Sequence, residues 1–253
     1  MVTGVKNKQY VSNATRIDRQ KYQPCPASST YVAPNYNTDN ISIGNIGNNT
    51  NIKRVKELKD IKIGKLHAIP DSIKKDPRNN IAHWYFKNAP WLDYKVEKDK
   101  GINYNTPGLR DVDVVLAKYA QKVANEMSVA TCCYTGTKHA LWAAGVLDDY
   151  GDMPKGSAHQ ANEYFDSHPK KFEKVNIDPT KLKKLPAGII LVYEKDGKHG
   201  HIDITNGKGQ GMSDCFDNLG WIDEHGEGST VHAYRLTDGW KYNPKTKKLE
   251  FEG

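Results

Sequence analysis

The apolar pattern of the chain changes period once, and that change limits the fold more than any other feature. Between residues 109 and 127, Val112, Val115, Leu116, Tyr119, Val123 and Met127 recur at helical spacing, which predicts an amphipathic helix. A second helix is predicted over residues 130–145, with Gly145 as its C-terminal cap. A loop carrying Gly151, Pro154 and Gly156 leads to a short helix near residues 158–165. From Ala187 on, the pattern becomes that of strands, at 188–194, 201–205, 211–216 and 231–236, parted by Gly-rich turns. Helices first and an antiparallel sheet second is an α+β layout.

Residues 1–107 have a different character. They hold 18 Lys and Arg against 9 Asp and Glu, whereas the remainder is close to neutral. Seven Asn fall in the 17 positions 35–51, with Gly44 and Gly47 among them, so residues 1–52 read as an irregular arm. Ile52, Val55, Leu58 and Ile61 recur every three residues and predict a charged helix within 52–65. Trp84, Tyr85, Phe86, Trp91 and Tyr94 crowd together around Pro90, as a packing surface for a neighbouring domain or a platform for sugars. Asn105-Thr-Pro-Gly is a break. The expected division is therefore a basic extension over 1–107 and a main domain over 108–253. Such an arm suits an anionic partner (nucleic acid, wall polymer or lipid headgroups) or stays solvated. No zinc-finger or RNA-recognition signature accompanies it, so nucleic acid is not the expected partner. No stretch approaches the roughly 18 apolar residues of a membrane span, and the first residues carry no apolar signal-peptide core.

The cysteines, Cys25, Cys132, Cys133 and Cys215, form neither a CxxC pair nor a zinc-type spacing, so no disulfide framework is expected. Cys132 and Cys133 leave a helix about 100° apart and must serve different ends. Only a thiolate is a strong nucleophile, and a helix N-terminus favours it. Cys133 sits where the second helix begins, after Thr131 as a plausible N-cap, with backbone N–H groups nearby to stabilise an oxyanion. His201 opens a strand after Gly200, placed to face a helix packed across the sheet and to act as base. If the following turn centres between Gly207 and Lys208, Asp214 lies opposite His201 and orients it; a slip in that Gly-rich turn would bring Asp217 or Asn218 instead. A rival reading uses His159, His199 and His201 with a Cys as metal ligands, since His199 and His201 share a strand face. No further ligand has a recognisable spacing, so neither metal nor cofactor is expected.

Cys133-Tyr-Thr-Gly-Thr-Lys-His-Ala-Leu resembles the nucleophile helix of NlpC/P60 and CHAP-type cysteine peptidoglycan hydrolases, which carry a basic residue five positions after the Cys and Ala-Leu seven and eight after it. Lys138, Ala140 and Leu141 match. Gly156-Ser-Ala resembles the Gly-x-Ala of the next loop, and Leu185-Pro-Ala-Gly resembles the Pro-Gly-Asp that leads into the first core strand. Gly200-His201-Ile-Asp-Ile resembles the family's Gly-His-Val-Ala-Ile strand. The resemblance covers about residues 108–220. Ala187 stands where many relatives have Gly, Ile189 where they have Asp, and Cys132 directly precedes the matched Cys. The register favours Cys133 and leaves Cys132 to the core.

The resemblance implies a papain-like fold, a Cys133–His201 thiol mechanism without metal, and attack on amide or peptide bonds of bacterial cell wall. It further implies a phage lysin or secretion-system effector, made in the cytoplasm and delivered to the wall, with an immunity protein, delivery-apparatus or phage-tail protein as partner. The alternative is a non-catalytic binding module that grips wall polymer or nucleic acid through the basic arm.

Overall fold

Two helices beside one antiparallel sheet are what the two apolar periods require, and the sheet is what brings the polar residues of interest together. The computed structural model describes residues 48–75, 96–129, 132–195, 200–219 and 229–253. The Asn-rich arm up to residue 47, the aromatic group at 84–94, Cys25, Thr131 and His199 lie outside the described residues. The described helices are α1 (Asn48–Asp60), α2 (Asp71–Lys74), α3 (Asp111–Met127), α4 (Cys133–Ala144) and α5 (Ala161–Ser167). The strands are β1 (Phe172–Val175), β2 (Ala187–Lys195), β3 (His201–Asn206), β4 (Gln210–Met212), β5 (Phe216–Asn218), β6 (Ser229–Leu236), β7 (Trp240–Asn243) and β8 (Lys248–Phe251). The first six form a sheet in the order β1-β6-β2-β3-β4-β5, every pair antiparallel, and β7 and β8 form a hairpin. The fold class is α+β.

The α3 helix starts where Asp113 accepts a hydrogen bond from the Arg110 backbone N–H (3.1 Å), and it ends at Ser128, whose φ of 48° is left-handed. Its burial is wider than the predicted stripe, because Val114, Ala117, Ala120 and Ala124 are also covered. The sheet, α4, Leu58 with the segment after α1, and the β7–β8 hairpin enclose it from several directions. Asp113 is buried too and is held by the guanidinium groups of Arg110 (2.8 Å) and Arg235 (2.8 Å).

Residues expected to lie in an extension contribute to the same core. Leu58, Ile69 and Ile102 are buried with α3. Arg54 pairs with Asp111 (2.8 Å), and the Asn103 N–H donates to the Asn206 carbonyl (2.9 Å).

The single strand predicted over 211–216 is two strands, β4 and β5, separated by a turn at 213–215 in which the Ser213 N–H donates to the Cys215 carbonyl (3.0 Å). That turn leaves the sheet to meet the start of α4. The Asp214 carbonyl accepts from Val129 N–H (3.1 Å), and the Ser213–Asp214 backbone passes so close to Gly136 that a Cβ there would lie 2.5 Å from it.

The two faces of the sheet divide the polar from the apolar residues of β3. Ile202 and Ile204 join Ile190, Val192, Met212 and Phe216 against α3 and α4. His201 pairs with Tyr193 and Asp203 with Leu191, whose side chains belong to a second cluster with Leu182, Leu219 and Ala233. His201 therefore leaves the sheet on the face opposite Ile202 and Ile204.

Candidate active site at the start of the Cys helix

Cys133 is the first residue of α4 and is partly exposed. The N-cap is Cys132, and its backbone N–H donates to Asp214 Oδ2 at 2.6 Å. The first intrahelical bond runs from Gly136 N–H to the Cys132 carbonyl (2.9 Å), so the N–H groups of Cys133, Tyr134 and Thr135 have no intrahelical acceptor. Gly145, at φ 83°, closes the other end as expected, with its N–H on the Leu141 and Trp142 carbonyls. Cys132 is partly exposed like Cys133, and Cys215 lies in the buried interior.

His201 is buried at the first position of β3, its ring stacked near Tyr193 (centroids 5.5 Å apart). Gly200 before it, at φ 68°, is needed for close approach: a Cβ would lie 2.3 Å from the Tyr193 carbonyl. His201 Nε2–H donates to Asp217 Oδ2 at 2.9 Å, and Asp203 Oδ2 lies 3.0 Å from the same nitrogen.

Asp214, expected as the orienting group, caps α4 instead. The cause is register. Ile204 pairs with Met212 and Thr205 with Gly211, one residue away from the pairing that would set Asp214 opposite His201. A one-residue slip reverses the face from which a side chain leaves. Gly211 in turn pairs with Asp217, so Thr205, Gly211 and Asp217 run across three strands. With no side chain at Gly211, Asp203 and Asp217 meet above it; a Cβ would lie 2.5 Å from Asp203 Cγ and from Asp217 Oδ1. Asn218, the other reserve, pairs with Gln210.

Sequence reasoning missed Asp203. Its signal was a carboxylate between two Ile in an apolar strand, two residues after His201 and hence on the same face.

The electrostatics follow from this enclosure. Burial disfavours imidazolium at His201, but the Asp203 carboxylate, the charge of Cys133 and the hydrogen bonds to Asp203 and Asp217 outweigh it, holding the pKa well above the ordinary value. Burial, then repulsion by Asp203, pushes Asp217 up to about 6 against the opposing pull of His201. Burial also raises Asp214, despite the Cys132 N–H bond that favours its charge.

Lys138 is buried beside this helix start. Its Nζ donates to the Met153 carbonyl (2.9 Å) and lies over the Tyr150 ring (4.4 Å from the centroid). Tyr134 Oη donates to the Pro154 carbonyl (2.9 Å). Together they tie the loop around residues 149–154 to α4.

The predicted metal set of His159, His199 and His201 includes a residue outside the described ones. Among the described residues the metal-like spacing belongs to a different set: one donor atom each from His201, Asp203 and Asp217 lies within 4.8 Å of the others. Compared with known proteins, the chain matches no family model, no curated protein and no solved structure.

Proposed function

We propose that the chain is a papain-like cysteine hydrolase that cleaves amide or peptide bonds of bacterial peptidoglycan. The observation that carries this reading is a thiol at the first position of a helix, within electrostatic reach of an imidazole whose Nε2 is engaged by buried carboxylates. With Nε2 engaged, Nδ1 is the nitrogen left for proton exchange with the thiol. His201 would then rest as imidazolium, the state its raised pKa favours.

The sulfur attacks the carbonyl carbon, and the oxyanion is stabilised by the helix N–H groups without intrahelical partners. His201 returns the proton to the leaving amine, then accepts one from the water that releases the thioester. Asp217, with Asp203 beside it, positions the ring. The wall substrate is supported by the resemblance over residues 108–220 and by the basic balance of residues 1–107, which suits an anionic polymer. A phage lysin or secretion-system effector, paired with an immunity or delivery protein, is the biological setting this reading favours.

The test is digestion of purified sacculi, with the released fragments identified by mass spectrometry. Cys133→Ala is expected to lower the rate about 10³-fold or more, while Cys132→Ala keeps most of it. Undiminished lysis by Cys133→Ala would refute the assignment.

A further inference from the structure

Orienting an imidazole requires one carboxylate; two converge on the same nitrogen here. The Asp203 and Asp217 side chains are 2% and 3% exposed, and Oδ1 of each is buried without a hydrogen-bond partner. Gly211 is what permits them to share the space. Two carboxylates around one imidazolium leave an excess negative charge away from water, a costly arrangement unless a further cation compensates it. We propose that His201, Asp203 and Asp217 form a binding site for a zinc-like divalent cation, whose occupancy switches the thiol centre off.

The donor set selects the class of ion. One imidazole nitrogen with carboxylate oxygens suits zinc and its transition-metal neighbours, whereas magnesium and calcium favour six or more oxygens. The spacing is close to what a tetrahedral ion needs. With bonds of about 2.0–2.1 Å, adjacent ligands lie roughly 3.3 Å apart. His201 Nε2 is already 2.9 and 3.0 Å from the two carboxylate oxygens, so shifts of a few tenths of an ångström admit the ion.

Binding displaces the Nε2 proton to solvent, and the Nε2 lone pair goes to the metal. The other ring proton stays on Nδ1, and a metal-held ring must become imidazolate to give it up, so it no longer protonates the leaving amine. This inhibitory half rests on the thiol mechanism proposed above; the binding half does not.

Calorimetric titration with zinc chloride in chelator-free buffer tests the binding half. Wild type and Cys133→Ala are expected to bind one ion with similar affinity, and Asp203→Ala and Asp217→Asn to bind it at least about tenfold more weakly. Loss of binding in Cys133→Ala with retention in Asp203→Ala would overturn the site, as would no binding by wild type. Should the Asp variants fail to fold, wild type loaded with cobalt(II) decides: tetrahedral visible bands without near-ultraviolet thiolate charge transfer support the site, and a strong thiolate band refutes it. Sacculus digestion that zinc stops and chelator restores supports the switch, and digestion indifferent to saturating zinc overturns it. Zinc binding with these donors in a protein that never digests sacculi would leave the site standing and remove the hydrolase reading.

Discussion

Three buried carboxylates fall into two settings: Asp203 and Asp217 share the space beside His201, and Asp214 meets the start of α4. Asp214 serves the backbone of Cys132, whereas Asp217 serves the ring of His201. Their substitutions should therefore separate. Asp214→Ala removes a helix cap and is expected to cost about 1–2 kcal/mol, read as a lower denaturation midpoint. Asp217→Asn is expected to lower kcat on sacculi by about 10²–10⁴-fold with little change in KM, since it disturbs the orientation of the ring rather than substrate binding. The reverse pattern would return Asp214 to the orienting role.

The same residues give a pH dependence of stability. Asp217 is raised to about 6 when folded, so its contribution is full below about pH 4 and is lost as the pH rises through 6. His201 is also raised, so its contribution is full below about pH 6.5 and is lost above that, through its higher folded value. Both act in one direction. The thermal midpoint should be lower at pH 7 than at pH 5, and Asp217→Asn should flatten the part centred near pH 6. A wild-type midpoint that rises over this interval contradicts the assignment.

At the scale of elements, α3 and α4 were legible because their apolar residues fix a helical period and Gly145 marks a stop. The strands β2, β3 and β6 were legible from continuous or alternating apolar runs. The β4–β5 pair was not: in Gly-Met-Ser-Asp-Cys-Phe nothing local distinguishes a continuous strand from one interrupted at 213–215, because the interruption answers to the distant start of α4. That is also why Asp214 was expected beside His201, where Asp217 stands. The strand β1 and the β7–β8 hairpin are four residues each, too short to carry a readable period. Element docking also depends on charge. Asp113 of α3 pairs with Arg110 and with Arg235, the latter on β6, so Asp113→Ala removes the one buried carboxylate the two guanidinium groups share and should cost about 3–5 kcal/mol. Urea denaturation measures this, and a loss below about 1 kcal/mol would mean that the pairs do not hold helix to sheet.

Across the whole molecule, all described residues belong to one compact unit within 33–253. Its core draws on early and late parts of the sequence alike. Leu58 is 1% exposed, and Leu58→Ala should cost about 2–5 kcal/mol in denaturant unfolding; a near-zero effect would show that α1 is a dispensable cover. Lys118 of α3 donates to the carbonyls of Leu58 (3.3 Å), Lys59 (2.8 Å) and Ile61 (2.6 Å). Tyr119 Oη accepts from Gly64 N–H and donates to the Lys247 carbonyl, both at 2.8 Å. Tyr242 Oη reaches back to the Lys62 carbonyl (2.6 Å). The segment after α1 is thus fastened by residues that a ribosome adds some 180 positions later. A nascent chain that already displays both the cysteine and the histidine still lacks Tyr242 and Lys247, the partners that complete this closure.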